Sequence, residues 1–337
     1  MKEALFYEKL GEHKVQCNLC NHRCTILSGK VGICGVRENR NGILYSLVYG
    51  KTITENVDPI EKKPLFHFYP GSKAFSIATV GCNFKCSHCQ NSDISQMPRD
   101  AREIVGRDIS PQDVVSLAKR YGCTSISYTY TEPTIFFEFV YDTAILAKKE
   151  GISNNFVTNG YITKEALQYI RPFLDAANID LKSFSSEFYQ KICGAKLEPV
   201  LDSIKLYKEL GIWVELTTLI IPNYNDSEDE LSRIAEFIKE LGVETPWHVT
   251  RFHPTFRLKD QPHTPVTTLK RAREIGLSAG LRYVYEGNVP GEGGENTYCY
   301  HCKELLIERR GFSILKNSIA NSRCPECASV IDGIGMS

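Results

Sequence analysis

Between residues 73 and 288, short runs of β-branched and aromatic residues alternate with longer stretches whose apolar positions recur every three or four residues. The runs predict strands at Ala74–Gly81, Thr124–Tyr130, Asn154–Gly160, Ala177–Lys182, Val214–Ile220, His248–His253 and Arg282–Glu286. The stretches between them predict helices over Gln112–Tyr121, Ile135–Lys149, Lys164–Leu174, Pro199–Leu210, Glu228–Leu241 and Leu269–Ala279. In the fifth helix Leu231, Ile234, Phe237, Ile238 and Leu241 make one apolar face, Ser227 and Glu230 have capping-box spacing, and Gly242 stops the helix. Strands that alternate with helices through right-handed crossovers build a parallel sheet, and six or more such units can curl into a full or partial barrel. No Gly-x-Gly-x-x-Gly follows the first strand, and polar residues recur at the C-terminal ends of the strands. Both features favour an α/β fold of the partial (β/α)6 TIM-like kind over a doubly wound sheet.

The flanks lack this pattern. Residues 1–72 read as a small module with a lead-in, residues 73–290 as the barrel, and residues 291–337 as a second small module. The Gly- and Pro-dense segment Asn288–Asn296 reads as the loop joining the last two. With 40 Lys+Arg against 40 Asp+Glu, no overall field attracts phosphate backbones or anionic lipid. Met1–Gln16 has mixed charge and no apolar leader pattern, and nowhere do about 18 apolar residues run together. The expectation is a soluble cytoplasmic chain with no membrane contact.

A reducing compartment does not favour structural disulfides and 13 is an odd total, so the clustered Cys point to metal or redox chemistry. Eleven of them form three clusters: Cys17, Cys20, Cys24 and Cys34; Cys82, Cys86 and Cys89; and Cys299, Cys302, Cys324 and Cys327. Cys123 and Cys193 stand alone and read as buried thiols. The middle cluster lies in Gly81-Cys82-Asn83-Phe84-Lys85-Cys86-Ser87-His88-Cys89-Gln90-Asn91, directly after the first predicted strand. Three thiolates at C-x3-C-x2-C spacing can hold three irons of a cubane and leave the fourth open to an exogenous ligand. The competing reading is a zinc site completed by His88, but His88 sits between two of the ligands, where one metal could hardly take all three side chains.

This loop resembles the hallmark of the radical SAM superfamily, with His88 in its aromatic slot, and the run ending Cys89-Gln90-Asn91 looks most like the enzymes that activate pyruvate formate-lyase. Tyr130-Thr131-Glu132-Pro133 ends the second strand where the superfamily has Gly-Gly-Glu-Pro, so Tyr130 and Thr131 replace two glycines in a segment that touches the amino group of S-adenosylmethionine (SAM). The resemblance implies further SAM contacts at Asn159, in Thr158-Asn159-Gly160, at Asp180 and Lys182, and at His253 near the nucleoside. A carboxylate beside an ammonium also suits the zwitterionic methionyl end of SAM, although Asp180 and Lys182 could equally be an ordinary strand-end ion pair.

At the C-terminus, Cys299-x2-Cys302 and Cys324-x2-Cys327 have the spacing of a zinc ribbon, with Leu305–Leu315 as a hairpin between them. The module is too small to bury much by itself, so the metal would contribute its folding free energy. At the N-terminus, C-x2-C-x3-C-x9-C admits zinc or an auxiliary iron–sulfur cluster, and zinc is preferred because four thiolates on a compact loop suffice for a closed site. Taken with Gly32-x-Cys34-Gly35-Val36-Arg37, Pro246-Trp247-His248, Arg251-Phe252-His253-Pro254 and Tyr285-x-Gly287-Asn288-Val289, these sets resemble the AmmeMemoRadiSam branch of activase-like proteins over about residues 15–330. Asn21 stands where that branch has Pro, and the tail from Ala328 lacks its Pro-Gly-Val-Trp ending.

The resemblance implies a 4Fe-4S cluster on Cys82, Cys86 and Cys89, reduced by a ferredoxin- or flavodoxin-type one-electron donor. SAM is then cleaved to a 5′-deoxyadenosyl radical that abstracts hydrogen from a substrate, a protein by analogy, with a Memo- or AMMECR-type protein as a further partner. Two rivals remain at this level. A non-catalytic metal-ribbon binding protein would carry zinc alone, whereas the enzyme would be brown with iron. An RNA-modifying radical SAM enzyme could grip nucleic acid through Arg309, Arg310, Lys316 and Arg323, but the balanced charge disfavours it.

Overall fold

The computed structural model describes residues 1–337. Its centre is one eight-stranded sheet. Thr54–Pro59 (β1) runs antiparallel to Lys73–Ala78 (β2). From β2 onward the strands are parallel neighbours in chain order: Ser125–Tyr128 (β3), Ser153–Thr158 (β4), Ala176–Asp180 (β5), Trp213–Ile220 (β6), Trp247–Arg251 (β7) and Val284–Gly287 (β8). The crossovers carry helices Pro111–Arg120 (α1), Phe137–Lys149 (α2), Lys164–Ile170 (α3), Glu198–Glu209 (α4), Glu228–Leu241 (α5) and Val266–Ala279 (α6). Because the strand order never reverses, right-handed crossovers put every helix on one side and the sheet curls about its other face. A doubly wound sheet would reverse at a switch point. β1 and β8 are the unpaired edges, so the barrel stays open.

One boundary differs from expectation: β1 lies in the lead-in that was expected outside the barrel, whereas β8 is the seventh of the strands anticipated, at Arg282–Glu286. The reason is the β1–β2 pairing, a full six-residue register from Thr54↔Ala78 to Pro59↔Lys73 that local pattern does not announce. At α5 the predicted cap is half made. Ser227 Oγ accepts from Glu230 N at 3.2 Å, but the Glu230 carboxylate turns away to accept from Ser183 and Phe184 after β5.

The helix-facing positions of the strands are mostly apolar, whereas the inner face carries buried polar side chains that pair with one another. Ser127 Oγ donates to Asn155 Oδ1 at 2.7 Å, Asn155 Nδ2 to Ser125 Oγ at 3.1 Å, and Thr217 Oγ1 to Asn178 Oδ1 at 2.9 Å. At the N-terminal end of the barrel, Glu215 is completely buried and accepts from Phe66 N at 3.0 Å, His67 N at 2.8 Å, Trp213 Nε1 at 3.1 Å and His248 Nε2 at 2.7 Å. The segment between β1 and β2 thus plugs the barrel floor. His67 is pinned on its other side, with Nδ1 2.6 Å from the Asp332 carbonyl and Nε2 accepting from Tyr285, and burial keeps it neutral, lowering its pKa to about 4.

The flanking modules are joined to this frame differently. The N-terminal strands share the barrel's main hydrophobic cluster, and buried Arg37 pairs with Glu138 of α2 at 3.0 and 3.1 Å. The C-terminal module is a three-stranded antiparallel sheet of Thr297–Tyr298 (β9), Leu305–Arg310 (β10) and Ser313–Asn317 (β11) with its own small core, which includes Phe66 of the plug and Tyr283 and Tyr285 beside and in β8. No helix is long and apolar enough to cross a membrane.

Replacing Glu215 by Ala leaves two buried main-chain N–H groups and two ring N–H groups without their acceptor, so the variant is expected to lose about 3–5 kcal/mol of unfolding free energy. Urea titration of the two proteins measures it.

Candidate functional site

After β2 the chain turns through Gly81, whose φ is 103° and where a Cβ would lie 2.7 Å from Val36 Cγ1 and 3.2 Å from the Cys34 carbonyl oxygen. Only glycine fits that approach. It delivers Cys82, Cys86 and Cys89 to a cavity of about 420 Å³ at the C-terminal ends of the strands, a volume suited to a small-molecule ligand. The loop is braced from three sides. Lys85 N and Ser87 N donate to the carbonyls of Cys193 and Ile192 at 2.8 and 2.9 Å, Arg99 Nη1 donates to the Cys82 carbonyl at 3.0 Å, and His22 Nε2 lies 2.8 Å from the Asn83 carbonyl. Phe84 N donates to Cys82 Sγ at 3.4 Å, and Cys89 Sγ is 3.2 Å from Ser95 Oγ. The buried Cys193 thiol, which looks inert in sequence, lies close enough to Cys86 to lower its pKa together with the Lys182 ammonium.

The strand ends bring five more of the anticipated residues to the same cavity: Glu132, Asn159, Asp180, Lys182 and, from the loop itself, His88. Their roles divide. Asp180 and Lys182 face the space as a 2.8 Å pair, and although burial works against the ammonium, Asp180 and the nearby Cys86 and Cys193 outweigh it and raise its pKa. His88 is buried, with Nδ1 lacking any partner, and burial followed by the Lys182 charge lowers its pKa to about 3. Glu132 is 1% exposed and its oxygens are taken by Thr134 N and Oγ1, Thr158 Oγ1 and Asn159 N, at 2.6–3.0 Å. It ties the end of β3 to the end of β4 and shapes the cavity wall. Asn159 Nδ2 donates to Asn83 Oδ1 at 2.7 Å, holding the cysteine loop.

Tyr130 occupies a glycine-like conformation, φ 64°, without being glycine. Its ring makes this tenable: the hydroxyl donates to Asp58, Lys63 Nζ sits 4.3 Å from the ring centroid, and the carbonyl accepts from Asn91 Nδ2 at 2.8 Å. The substitution therefore keeps the backbone turn and recruits the β1 lead-in to support it.

His253 is not brought to the cavity. It is exposed, absent from the cavity lining, and hydrogen-bonded to His263, Nδ1 to Nδ1 at 2.9 Å. β7 ends at Arg251, so the residue two positions beyond has already left the strand's inward alternation, and Thr250 takes the cavity position instead. Other lining residues were not anticipated: Thr217 on β6, Asn288 after β8, Lys62 and Lys63 from the lead-in, and Phe312 from the turn between β10 and β11. Thr217 and Thr250 could have been read from strand-end alternation. Lys62, Lys63 and Phe312 carry no local signal, because only the folding of the flanks over the barrel brings them there.

In the C-terminal module the four sulfurs of Cys299, Cys302, Cys324 and Cys327 all lie within 4.8 Å of one another, a group that could hold a metal ion. Cys17, Cys20, Cys24 and Cys34 line one small cavity of their own, against the back of the Cys82 loop.

Several comparisons agree with this geometry. The sequence model described as the Radical SAM superfamily matches residues 76–238. An uncharacterized protein of Methanocaldococcus jannaschii is 52% identical over 335 residues, 98% of this chain and 99% of that one. The pyruvate formate-lyase 1-activating enzyme of Escherichia coli is 25% identical over 166 residues, 48% of this chain and 67% of its own. Among solved structures, Streptococcus suis SuiB bound to S-adenosylmethionine aligns with a TM-score of 0.51 at 14% identity, over 68% of this chain and 53% of that one, a likeness of fold. The donor set fits the iron–sulfur cluster this superfamily uses, since three thiolates share one loop with N–H and O–H donors aimed at their sulfurs, and the orphaned His88 Nδ1 lies buried in the same cavity lining.

A β-branched residue cannot adopt the Tyr130 backbone without strain, whereas glycine can. Tyr130→Val is therefore expected to be about 1–3 kcal/mol less stable than Tyr130→Gly in denaturant unfolding, both having lost the same ring contacts.

Proposed function

The chain belongs to the radical SAM superfamily, and from that membership we propose an enzyme that reductively cleaves SAM and uses the resulting radical to take hydrogen from a protein substrate. The observation that carries this reading is the convergence of the Cys82, Cys86 and Cys89 thiols with the Asp180–Lys182 pair on one cavity of about 420 Å³.

A four-iron four-sulfur cluster on the three thiolates supplies, when bound, the electron that splits SAM into methionine and a 5′-deoxyadenosyl radical. The rest is work for side chains of this protein. Lys182, held protonated, faces the methionyl carboxylate, and Asp180 faces its ammonium, so each end of the zwitterion meets an opposite charge. His88 stays neutral and offers its unpaired Nδ1 to the cavity. Glu132 and Asn159, fully engaged with their own chain, keep the wall and the cysteine loop rigid, which lowers the cost of orienting the ligand. Thr217 and Thr250 on β6 and β7 line the part of the cavity farther along the sheet, where a substrate would lie.

A protein substrate is supported by the name of the E. coli relative and by Phe312, which lines the cavity while 47% exposed and offers an apolar contact to an entering peptide. The reaction needs a low-potential one-electron donor of the ferredoxin or flavodoxin type. In the C-terminal module the ion would be zinc, since paired C-x2-C knuckles form a closed tetrahedral thiolate site.

Purified anaerobically, reconstituted with iron and sulfide and reduced, the chain should release 5′-deoxyadenosine from SAM, measured by chromatography. The Cys82→Ala/Cys86→Ala/Cys89→Ala variant should release none; persistence of the product there would sink the assignment. Lys182→Met removes one charge-assisted contact to SAM and should raise its Kd about 10- to 100-fold in equilibrium binding to the reconstituted enzyme.

A further inference from the structure

The Lys, Asp and Glu side chains that line the cavity of the cysteine loop are Lys62, Lys63, Glu132, Asp180 and Lys182. Glu132 is buried with its oxygens taken by its own chain, and Asp180 pairs with Lys182. Lys62 and Lys63 are therefore positive charge that no other lining residue offsets. Their partner is Asp58 of β1, which is not part of the lining. Lys62 Nζ donates to Asp58 Oδ1 at 2.9 Å, Lys63 Nζ donates to Asp58 Oδ2 at 2.7 Å, and the Tyr130 hydroxyl also donates to Oδ2. One carboxylate thus serves two ammoniums and a hydroxyl, although each ammonium carries three donors. The Lys63 side chain is 1% exposed, and burial outweighs Asp58 to lower its pKa to about 8, the behaviour of a buried cation short of anionic partners.

The two lysines enter the cavity from beneath. They follow β1 in the segment that plugs the barrel floor, and the carbonyl of the next residue, Pro64, accepts from Asn178 Nδ2 at 2.8 Å. Asn178 and Asp180 are two apart on β5 and share one face of it, so Pro64 lies one layer of side chains below the Asp180–Lys182 pair. Asn178 Oδ1 in turn accepts from Thr217 Oγ1 at 2.9 Å, and Thr217 lines the part of the cavity where a substrate would lie. With SAM placed as proposed, its carboxylate meets Lys182, and Lys62 and Lys63 are left for a second anion. With 40 Lys+Arg against 40 Asp+Glu, the chain offers no wider field to a phosphate backbone, which favours an isolated carboxylate.

On the premise that this cavity binds SAM, we propose that Lys62 and Lys63 hold a carboxylate of the peptide substrate and so select an acidic peptide. The carboxylate comes from an Asp or Glu side chain or from the chain end, and either source offers the same oxygens to the free ammonium donors.

The test uses the full-length protein, reconstituted anaerobically with iron and sulfide, left oxidised and loaded with SAM so that nothing is turned over. Two pools of random decapeptides are offered to it, one amidated at the C-terminus and containing Asp and Glu, the other with a free C-terminus and neither acidic residue. Peptides retained on ultrafiltration are identified by mass spectrometry. Acidic members of the first pool should be enriched about 10-fold over neutral ones if a side chain supplies the carboxylate, and the second pool should be enriched about 10-fold over its amidated equivalent if the chain end does. Either result supports the proposal and names the source. Lys62 is the test position because its side chain is 42% exposed and Lys63 remains to hold Asp58. Lys62→Met should lower the enrichment about threefold and Lys62→Arg should restore it, with circular dichroism and iron content showing that both variants are folded. No enrichment in either pool, enrichment undiminished in Lys62→Met, a raised Kd for SAM in that variant, or retention of bulk tRNA in place of acidic peptides overturns the proposal. Release of 5′-deoxyadenosine by the reduced, unmodified protein is measured separately, so that failure of the SAM assignment and failure of this proposal are told apart.

Discussion

A barrel lined with polar side chains is stable only if those groups satisfy one another, and the buried Glu215 carboxylate is where that requirement is met. It takes four donors, from the plug, from its own strand and from β7, and so closes the floor of the barrel with a charge that water never reaches. Above it the serine, asparagine and threonine pairs continue the same hydrogen-bonded interior upward. A buried ionised group without such partners would cost several kcal/mol, so the plug is part of the barrel and not a covering laid upon it.

The two four-cysteine flanks follow from this frame. The plug that Glu215 holds presents Phe66 and His67 outward, and the C-terminal module packs on them through Arg309, whose guanidinium lies 4.3 Å over the Phe66 ring, and through the Asp332 carbonyl. Docked in that way, the module swings the β10–β11 turn over the open end, and Phe312 becomes part of the cavity. The N-terminal module enters from the helical side through Arg37 and Glu138 and sets Cys34 against Gly81, one residue before Cys82. All three cysteine clusters thereby depend on one scaffold, and the cysteine loop Cys82–Asn91 is braced by segments from residues 22, 99 and 193.

Electrostatics in the cavity are arranged around unequal fates for charged groups of similar type. Glu132 is buried, and its hydrogen bonds only partly oppose the desolvation that raises its pKa, so it serves structure. Asp180 and Lys182, two residues apart on one strand end, remain open to the space between them and the thiols. The charges of the pair are fixed before any ligand arrives, an arrangement suited to a zwitterion.

The sequence by itself determined the parallel strand-and-helix order, the division of the cysteines into three groups, and most of the cavity residues at the strand ends. Each of these is written in short-range form: period 3.6 or 2, a glycine turn, a C-x2-C knuckle. Cys82, Cys86, Cys89, Asp180 and Lys182 were legible for that reason. Tertiary structure alone decided that Thr54–Pro59 is a barrel strand, that Glu132 and Asn159 are spent on their own chain, that His253 faces away, and that Lys62, Lys63 and Phe312 line the cavity. These outcomes rest on contacts between residues tens to hundreds of positions apart, and no local pattern encodes which of many equivalent polar or aromatic side chains will be brought together.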